Sequence, residues 1–331
     1  MSNANMLGPR VRRFLLEYLV SGRNLATNTR KSYRDMLMIL LPFMAKNLAK
    51  PVDQLHVLDV SPKLVRAFLS HLEQKRHCSI GTRNQRLGAL HALARFIAEH
   101  SPEHIEWCLQ IRAIPYKKTN SATIGYLDKR EMDAILDAPD RRTAQGRRDY
   151  ALLLFLYNSG ARASEAASLR IRDLDDYSKC ARIIGKGGKQ RICPLWPTTF
   201  DAIDPLIVDR DSAEPVFLNR YGNSITRFGI HTLVERYALR AREQTPSLAS
   251  KRVSPHLIRH TTATHLLRSG VDINTIRGWL GHASLNTTNV YAEIDMETKA
   301  KALASCAPTT RRNTKKSWRT QPTLMEFLRS L

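Results

Sequence analysis

The sequence predicts a mainly α protein with a small β-sheet, arranged as two domains, and three observations carry that. Apolar residues recur at helical spacing from Pro9 onward, with no convincing strand before residue 112. A stretch of linker composition, PYKKTNSATIGY from Pro115, then interrupts the pattern. Beyond it the period switches to two over CARIIG and RICPL before helices resume. At 331 residues the chain is long enough for two cores. The expected division is a helical domain over 9–113, a linker over 114–125, a mixed domain over 126–305, and a basic spacer with a final helix over 306–331.

In the first domain VRRFLLEYLV reads as a helix ending at Ser21-Gly22, and residues 1–8 show no pattern. Thr27 or Asn28 opens a second helix through TRKSYRDMLMILLPFMA, with a kink or an end expected near Pro42. Ser61-Pro62 starts a third over KLVRAFLSHLEQKR, Ser79 a fourth through GTRNQRLGALHALARFIAEH, and Ser101-Pro102 a short fifth. Arg30, Lys31 and Arg34 cluster at the start of the second helix, and Arg83 and Arg86 near the third-to-fourth junction. Such clusters are read either as solvated helix faces or, with small polar neighbours such as Thr27 and Thr82, as phosphate contacts.

In the second domain Asp128-x-x-Glu131 is a capping-box variant before KREMDAILDA. RRDYALLLFLYNS is apolar on nearly all sides, so it should be a buried helix breaking at Ser159-Gly160. Arg162 follows at once, delivered rigidly, and Glu165 either pairs with it or caps the next helix. After the acidic turn DLDD, CARIIG and RICPL flank KGGKQ as a β-hairpin that places Lys186 and Lys189 in its turn. The turn lacks the spacing and the Ser or Thr of a nucleotide P-loop. A helix from Thr198 to Asp209, a short strand VFLN and the helix ITRFGIHTLVERYALRARE come next. Lys251 and Arg252 lie in the following loop, where they could meet backbone phosphates.

Composition limits the function. With 52 Lys and Arg against 30 Asp and Glu, the net charge of +22 points to a polyanion, nucleic acid foremost. No hydrophobic signal core or membrane-length apolar run is visible, and MLMILLPFMA is broken by Pro42, so a cytoplasmic protein with no membrane partner is expected. Five scattered cysteines without a C-x-x-C pair support neither a disulfide scaffold nor a zinc ribbon.

The chemistry concentrates between Ser254 and Tyr291. Ser254 is an N-cap with Pro255 at the first helical position, so His256 and Arg259, three apart, share a helix face. Leu257, Ala263, Leu266 and Leu267 form the expected inward stripe, and Gly270 stops the helix. Asp272 opens a second short helix, INTIRGWL, ending at Gly281 and leaving His282 in the turn, with Tyr291 nine residues further on. A guanidinium fork suits phosphate oxygens, and a phenol beside a base can attack phosphorus. His256 and His260 also stand at the i, i+4 spacing of helical metal ligands, but no Glu lies between them and no Cys is close, so no metal is expected.

These motifs resemble the tyrosine recombinases, the phage-integrase and Xer-type family. The family pattern His-x-x-Arg-His, Leu-Gly-His and a tyrosine nine residues later reads here as HLIRH, LGH and Tyr291, with Ile258 where leucine is usual. GARASE matches the first arginine motif, and TNTRKSYRDML and SIGTRNQRLGAL are similar to the two DNA-facing helices of the family's N-terminal domain. The resemblance implies an all-helical SAM-like core-binding domain and an α+β catalytic domain. It implies that Tyr291 attacks the scissile phosphate to form a 3′-phosphotyrosyl link, that Arg162 and Arg259 hold the non-bridging oxygens, and that His282 adds a hydrogen bond. His256 takes the tyrosine proton and Lys186, with Lys189 as the alternative, protonates the leaving 5′ oxygen, while Glu165 and His260 support the site.

Lys118, Lys189, Arg191, Lys251 and Arg252 join Arg30, Lys31, Arg34, Arg83 and Arg86 as expected DNA contacts. No cofactor is expected. The implied partner is double-stranded DNA carrying a paired-arm site, with a tetramer assembled on two sites and the C-terminal helix, Thr323 to Leu331, docked on a neighbour. Integration, excision or transposition of a mobile element is the expected role. Type IB topoisomerase-like relaxation, chromosome-dimer resolution, or a DNA-binding protein with vestigial catalytic residues are the alternatives.

Overall fold

A computed structural model describes residues 5–119 and 125–281, with Lys186 described by its backbone alone. His282, Tyr291, Cys306 and the C-terminal spacer and helix lie outside the described residues. The chain divides into two compact units, Met1–Ala122 and Thr123–Leu331.

The first unit is helical throughout its described residues: α1 (Leu7–Arg13) running into a π-helical stretch (Phe14–Gly22), α2 (Thr27–Leu48), α3 (Pro62–Gln74), α4 (Ile80–His100) and α5 (Ile105–Arg112). Its core gathers Phe14, Leu40, Phe68, Leu90, Ile97 and Ile111. Ser61 and Ser79 cap α3 and α4 by accepting the backbone N–H of Leu64 and Thr82. Two sequence expectations change here. The first helix begins before Pro9, because Leu7 is buried and its N–H bonds the Leu55 carbonyl at 2.8 Å. α2 does not end at Pro42 but continues past it to Leu48. Proline removes the bond to the carbonyl four residues back, and that residue, Met38, is 67% exposed, so water can take over the freed acceptor.

The start of the expected linker is docked instead on this unit. Arg83 Nη1 donates to the Pro115 carbonyl, Asn84 exchanges hydrogen bonds with the Lys117 backbone, and Lys117 Nζ meets Glu73 at 2.7 Å.

The second unit is built around α7 (Ala144–Ser159), whose long run of leucines lies in the core with Phe155 and Tyr157. Before it stands α6 (Lys129–Asp137), opened by the full Asp128–Glu131 capping box. After it come α8 (Ala163–Ser168), strands β1 (Leu174–Asp175), β2 (Cys180–Ile184) and β3 (Gln190–Pro194), then α9 (Pro197–Ile203), α10 (Arg227–Ala241), α11 (Pro255–Arg268) and α12 (Ile273–Leu280). The sheet is antiparallel in the order β1-β2-β3, with Ala181 opposite Cys193 and Ile183 opposite Arg191. Its first strand uses part of the segment expected to be an acidic turn.

α9 is shorter than expected, because Pro205 has no N–H to carry it on and a 3₁₀ turn, Asp204–Leu206, replaces its end. VFLN is not a strand. The Val216 N–H bonds the Leu169 carbonyl and Arg210 takes the Val216 carbonyl, so pairing is confined to an isolated antiparallel bridge, Leu218 to Ser224, with the Phe217 carbonyl accepting the Ile225 N–H. Among the described residues no helix is long and apolar enough to cross a membrane.

Candidate active site

The site starts from the way α7 ends. Gly160 adopts φ +58°, and a Cβ there would come within 2.5 Å of Leu280 Cδ2, so the turn needs glycine both for its backbone and for space. The chain leaves this turn at Arg162, the N-cap residue of α8. Glu165 does both things expected of it: Oε2 accepts the Arg162 backbone N–H at 3.0 Å, and Oε1 accepts Arg162 Nη1 at 2.6 Å. Burial pushes the Glu165 carboxyl up, but hydrogen bonds from Arg191 and Arg162 outweigh it and hold the group below the usual carboxylate range.

α11 supplies the opposite wall. Ser254 accepts the Leu257 N–H, with Pro255 at the first turn. The inward face differs from the expected leucine stripe: Leu257, Leu266 and Leu267 are only half-buried, while Ile258, Arg259, Thr261, Thr262 and Thr264 are buried with Ala263. A polar inward face is tolerated because its hydroxyls are satisfied. Thr262 Oγ1 donates to the Tyr157 carbonyl at 2.7 Å, and Thr261 Oγ1 accepts the Leu127 N–H while donating to the Leu257 carbonyl.

Arg259 is 2% exposed. Its Nη1 donates to the Gly160 carbonyl and its Nη2 to the Leu280 carbonyl, each at 2.6 Å. These carbonyls lie at the C-terminal ends of α7 and α12, where the partial negative charge of a helix favours a cation. One guanidinium thus joins three helices. Trp279 of α12 adds a bond from Nε1 to the Asn158 carbonyl, and Asn158 in turn bonds the Trp196 N–H and the Pro194 carbonyl.

Arg162, Ser164, Ser254, His256 and Arg259 line one open groove of about 460 Å³. His256 is exposed on the groove, yet partial desolvation of its ring, then Arg259 and Arg162, lower its pKa, which favours the neutral imidazole that can accept a proton. Behind it His260 packs edge-on with ring centroids 4.2 Å apart, and burial together with His256 and Arg259 pushes its pKa down to about 4. No third His, Cys, Asp or Glu joins these two histidines as a metal-binding group among the described residues. An arginine pair beside a neutral base suits an anionic ligand that gives up a proton.

Lys186 opens a 3₁₀ turn, Lys186–Gly188, between β2 and β3, and Lys189, at its end, is exposed. Three of the expected DNA contacts have partners within the protein, Arg83 and Arg191 with buried side chains and Lys251 part-exposed. Arg191 is buried on Glu165 at 2.7 Å, Arg83 is buried and bonds Asn84 and the Pro115 carbonyl, and Lys251 Nζ binds Glu131 Oε2 at 2.5 Å and the Tyr126 carbonyl. Lys31, Lys118 and Arg252 are exposed, while Arg30, Arg34 and Arg86 bond Thr27, Asp35 and Cys78. The sequence reading missed Arg227, Phe228 and His231, which line the groove from α10. The basic side of that helix was the available signal, but nothing local ties it to a site so far along the chain.

Comparison with known proteins agrees with this arrangement. The phage integrase family model matches residues 125–298, and the model of the phage integrase N-terminal SAM-like domain matches residues 12–100. An integrase/recombinase of Sinorhizobium fredii, y4rC, is 34% identical over 334 residues, covering 100% of both chains. The tyrosine recombinase XerC of Oceanobacillus iheyensis is 30% identical over 84% of this chain and 90% of its own. Among solved structures, a Tn1549 transposon integrase in complex with transposon right end DNA has a TM-score of 0.69 at 16% identity, covering 90% of this chain and 99% of that one. The XerH recombinase bound to its palindromic difH substrate has a TM-score of 0.66 at 22% identity, covering 88% and 83%. These likenesses show the fold, and the family model together with the full-length relative shows that the chain belongs to the phage integrase family of tyrosine recombinases.

Proposed function

We propose that the protein is a site-specific DNA recombinase that cuts and rejoins strands through a 3′-phosphotyrosyl link at Tyr291, in the service of a mobile element. The observation that carries this reading is the convergence of Arg162, His256 and Arg259, from two distant segments, on one groove. Tyr291 attacks the scissile phosphorus, the phenolic proton passes to His256, and the P–O5′ bond breaks with a proton from Lys186. Arg162 and Arg259 stabilise charge on the non-bridging oxygens, and His282 adds a hydrogen bond. Each transfer exchanges one phosphoester for another, so no nucleoside triphosphate is needed, and the fixed arginines take the place a metal ion would fill.

The partner is duplex DNA with a paired-arm site, bound by a tetramer across two sites with the C-terminal helix in trans. The structural neighbours solved on DNA support the nucleic-acid partner, and the net charge of +22 fits it. The relative matched along its full length carries the name integrase/recombinase, which supports a mobile-element role. The test is suicide-substrate trapping on DNA flanking the gene. Wild-type protein should give a covalent adduct on a denaturing gel, and Tyr291→Phe should give none while keeping its affinity for the site. An adduct surviving in Tyr291→Phe would overturn the assignment of the nucleophile.

A further inference from the structure

Behind the groove, the Glu165 carboxylate is shared. Besides its two bonds to Arg162 it accepts Arg191 Nη2 on Oε2 at 2.7 Å, and the side chains of Glu165 and Arg191 are 3% and 7% exposed. Arg191 belongs to β3, the strand that leaves the turn carrying Lys186. Its guanidinium fills the space between two glycines. A Cβ on Gly281 would meet Arg191 Cδ and Nη1 at 3.3 Å, and one on Gly185 would lie 3.7 Å from Nη1 and 3.3 Å from Glu165 Oε1. Gly185 closes the hairpin turn by donating its N–H to the Lys189 carbonyl at 2.7 Å.

Arg191 Nε is buried without a hydrogen-bond partner. A buried guanidinium with an unmet donor is costly, and an apolar side chain would fill a packed position with less penalty. An exposed phosphate contact would not bury it. What the arginine does here, and an apolar residue could not, is fix the Lys186 hairpin to the carboxylate that orients Arg162.

We propose that Arg191 is a positioning residue for the proton donor: through Glu165 it holds the Lys186 turn in register with Arg162. The proposal rests on the reading of Lys186 as the group that protonates the leaving oxygen. In that step the Tyr291 oxygen bonds phosphorus, the P–O5′ bond breaks, His256 receives the phenolic proton and Lys186 delivers one to O5′. Arg191 touches none of the reacting atoms.

The test compares full-length Arg191→Met and Arg191→Lys with wild type on two suicide substrates, one with an ordinary phosphodiester and one with a 5′-bridging phosphorothiolate, whose thiolate leaves without needing a proton. Arg191→Met should cleave the ordinary substrate slower by about 10²-fold or more, the size of a lost general acid. It should cleave the phosphorothiolate at near the wild-type rate, with unchanged site affinity, and Arg191→Lys should recover part of the loss. Equal slowing on both substrates would mean that Arg191 supports the site as a whole, and wild-type cleavage of the ordinary substrate would mean that it supports nothing; either result overturns the proposal. Should Arg191→Met fail to fold, Arg191→Lys carries the same comparison. Lys186→Ala separates the two ideas. If the phosphorothiolate does not rescue it, the role of Lys186 fails and the proposal goes with it, whereas rescue of Lys186→Ala without rescue of Arg191→Met sinks the proposal alone.

Discussion

The two arginines of the groove are held by opposite means. Arg162 stands at a helix start, 39% exposed along its side chain, and is fixed by the charge of Glu165. Arg259 is buried, and its guanidinium is fixed by backbone carbonyls at the ends of two other helices. The first corner therefore answers to changes of charge and the second to changes of shape. Under the proposed mechanism the difference also divides catalysis from folding. Arg162 can be altered with little loss of core, while Arg259 is part of what joins α7, α11 and α12.

Replacing each arginine by lysine gives the largest effect and the sharpest form of this contrast. A point charge cannot reproduce a fork that spans two carbonyls. Arg259→Lys should lose about 10²–10³-fold in cleavage rate, the size seen when a preorganised donor is removed. It should also lose about 1–3 kcal/mol of stability, because a buried carbonyl is left without its donor. Arg162→Lys should lose cleavage comparably with a melting temperature near wild type. Single-turnover cleavage and thermal melting of both variants check this, and equal destabilisation of the two would break the comparison.

Gly160→Ala probes the shape-held corner without touching any charge. The added methyl meets Leu280 in a left-handed turn, so about 1–3 kcal/mol of destabilisation is expected. Because the carbonyls of Gly160 and Leu280 are both acceptors for Arg259, cleavage should fall as well, by about tenfold, the cost of about 1.4 kcal/mol in the barrier. Glu165→Ala makes the matching change at the other corner. A cleavage rate that ignores Gly160→Ala while stability drops would show that the Arg259 anchor is structural only.

How much of this was legible follows from the range of each interaction. The caps at Asp128 and Ser254 and the helix starts at Ser61, Ser79 and Asp272 are read correctly, because a helix start is settled within three or four residues. The break at Gly160 is read for the same reason. Arg83, Arg191 and Lys251 look like phosphate contacts in the sequence, since nothing nearby neutralises them. Their partners arrive only with the fold: the Pro115 carbonyl beside α4, Glu165 across the hairpin, and Glu131 on α6. VFLN has strand composition, but Arg210 takes its first carbonyl and its pairing with 223–225 shrinks to an isolated bridge, which composition does not reveal. The inward face of α11 is misread because threonines are taken as polar, although in a helix their hydroxyls can bond back to the backbone and be buried.

The smallest effect expected is in pH dependence, and it bears on which corner governs the base. Burial comes first among the causes that lower the His256 pKa from its ordinary 6.5, followed by Arg259 and then Arg162. A proton on His256 is disfavoured in the folded protein, so the neutral base persists below pH 6.5 and is lost only as pH falls through the lowered value. Cleavage should accordingly be flat from about pH 7 to 8 and decline below pH 6.5, with no inflection above it. The same sign applies to stability. His256 and His260 bind protons less readily folded than unfolded, so their contribution is complete above the unfolded pKa of about 6.5. It is lost as pH falls through the folded values, that of His260 being about 4. Arg162→Gln should move the His256 titration upward, toward 6.5, by removing one nearby cation, and by less than removal of Arg259 does. Titration of the His256 ring proton by NMR in the DNA-free protein measures this directly. A His256 pKa above 6.5 in the wild type, or one that falls when Arg162 is neutralised, would mean that the two arginines do not set the state of the base.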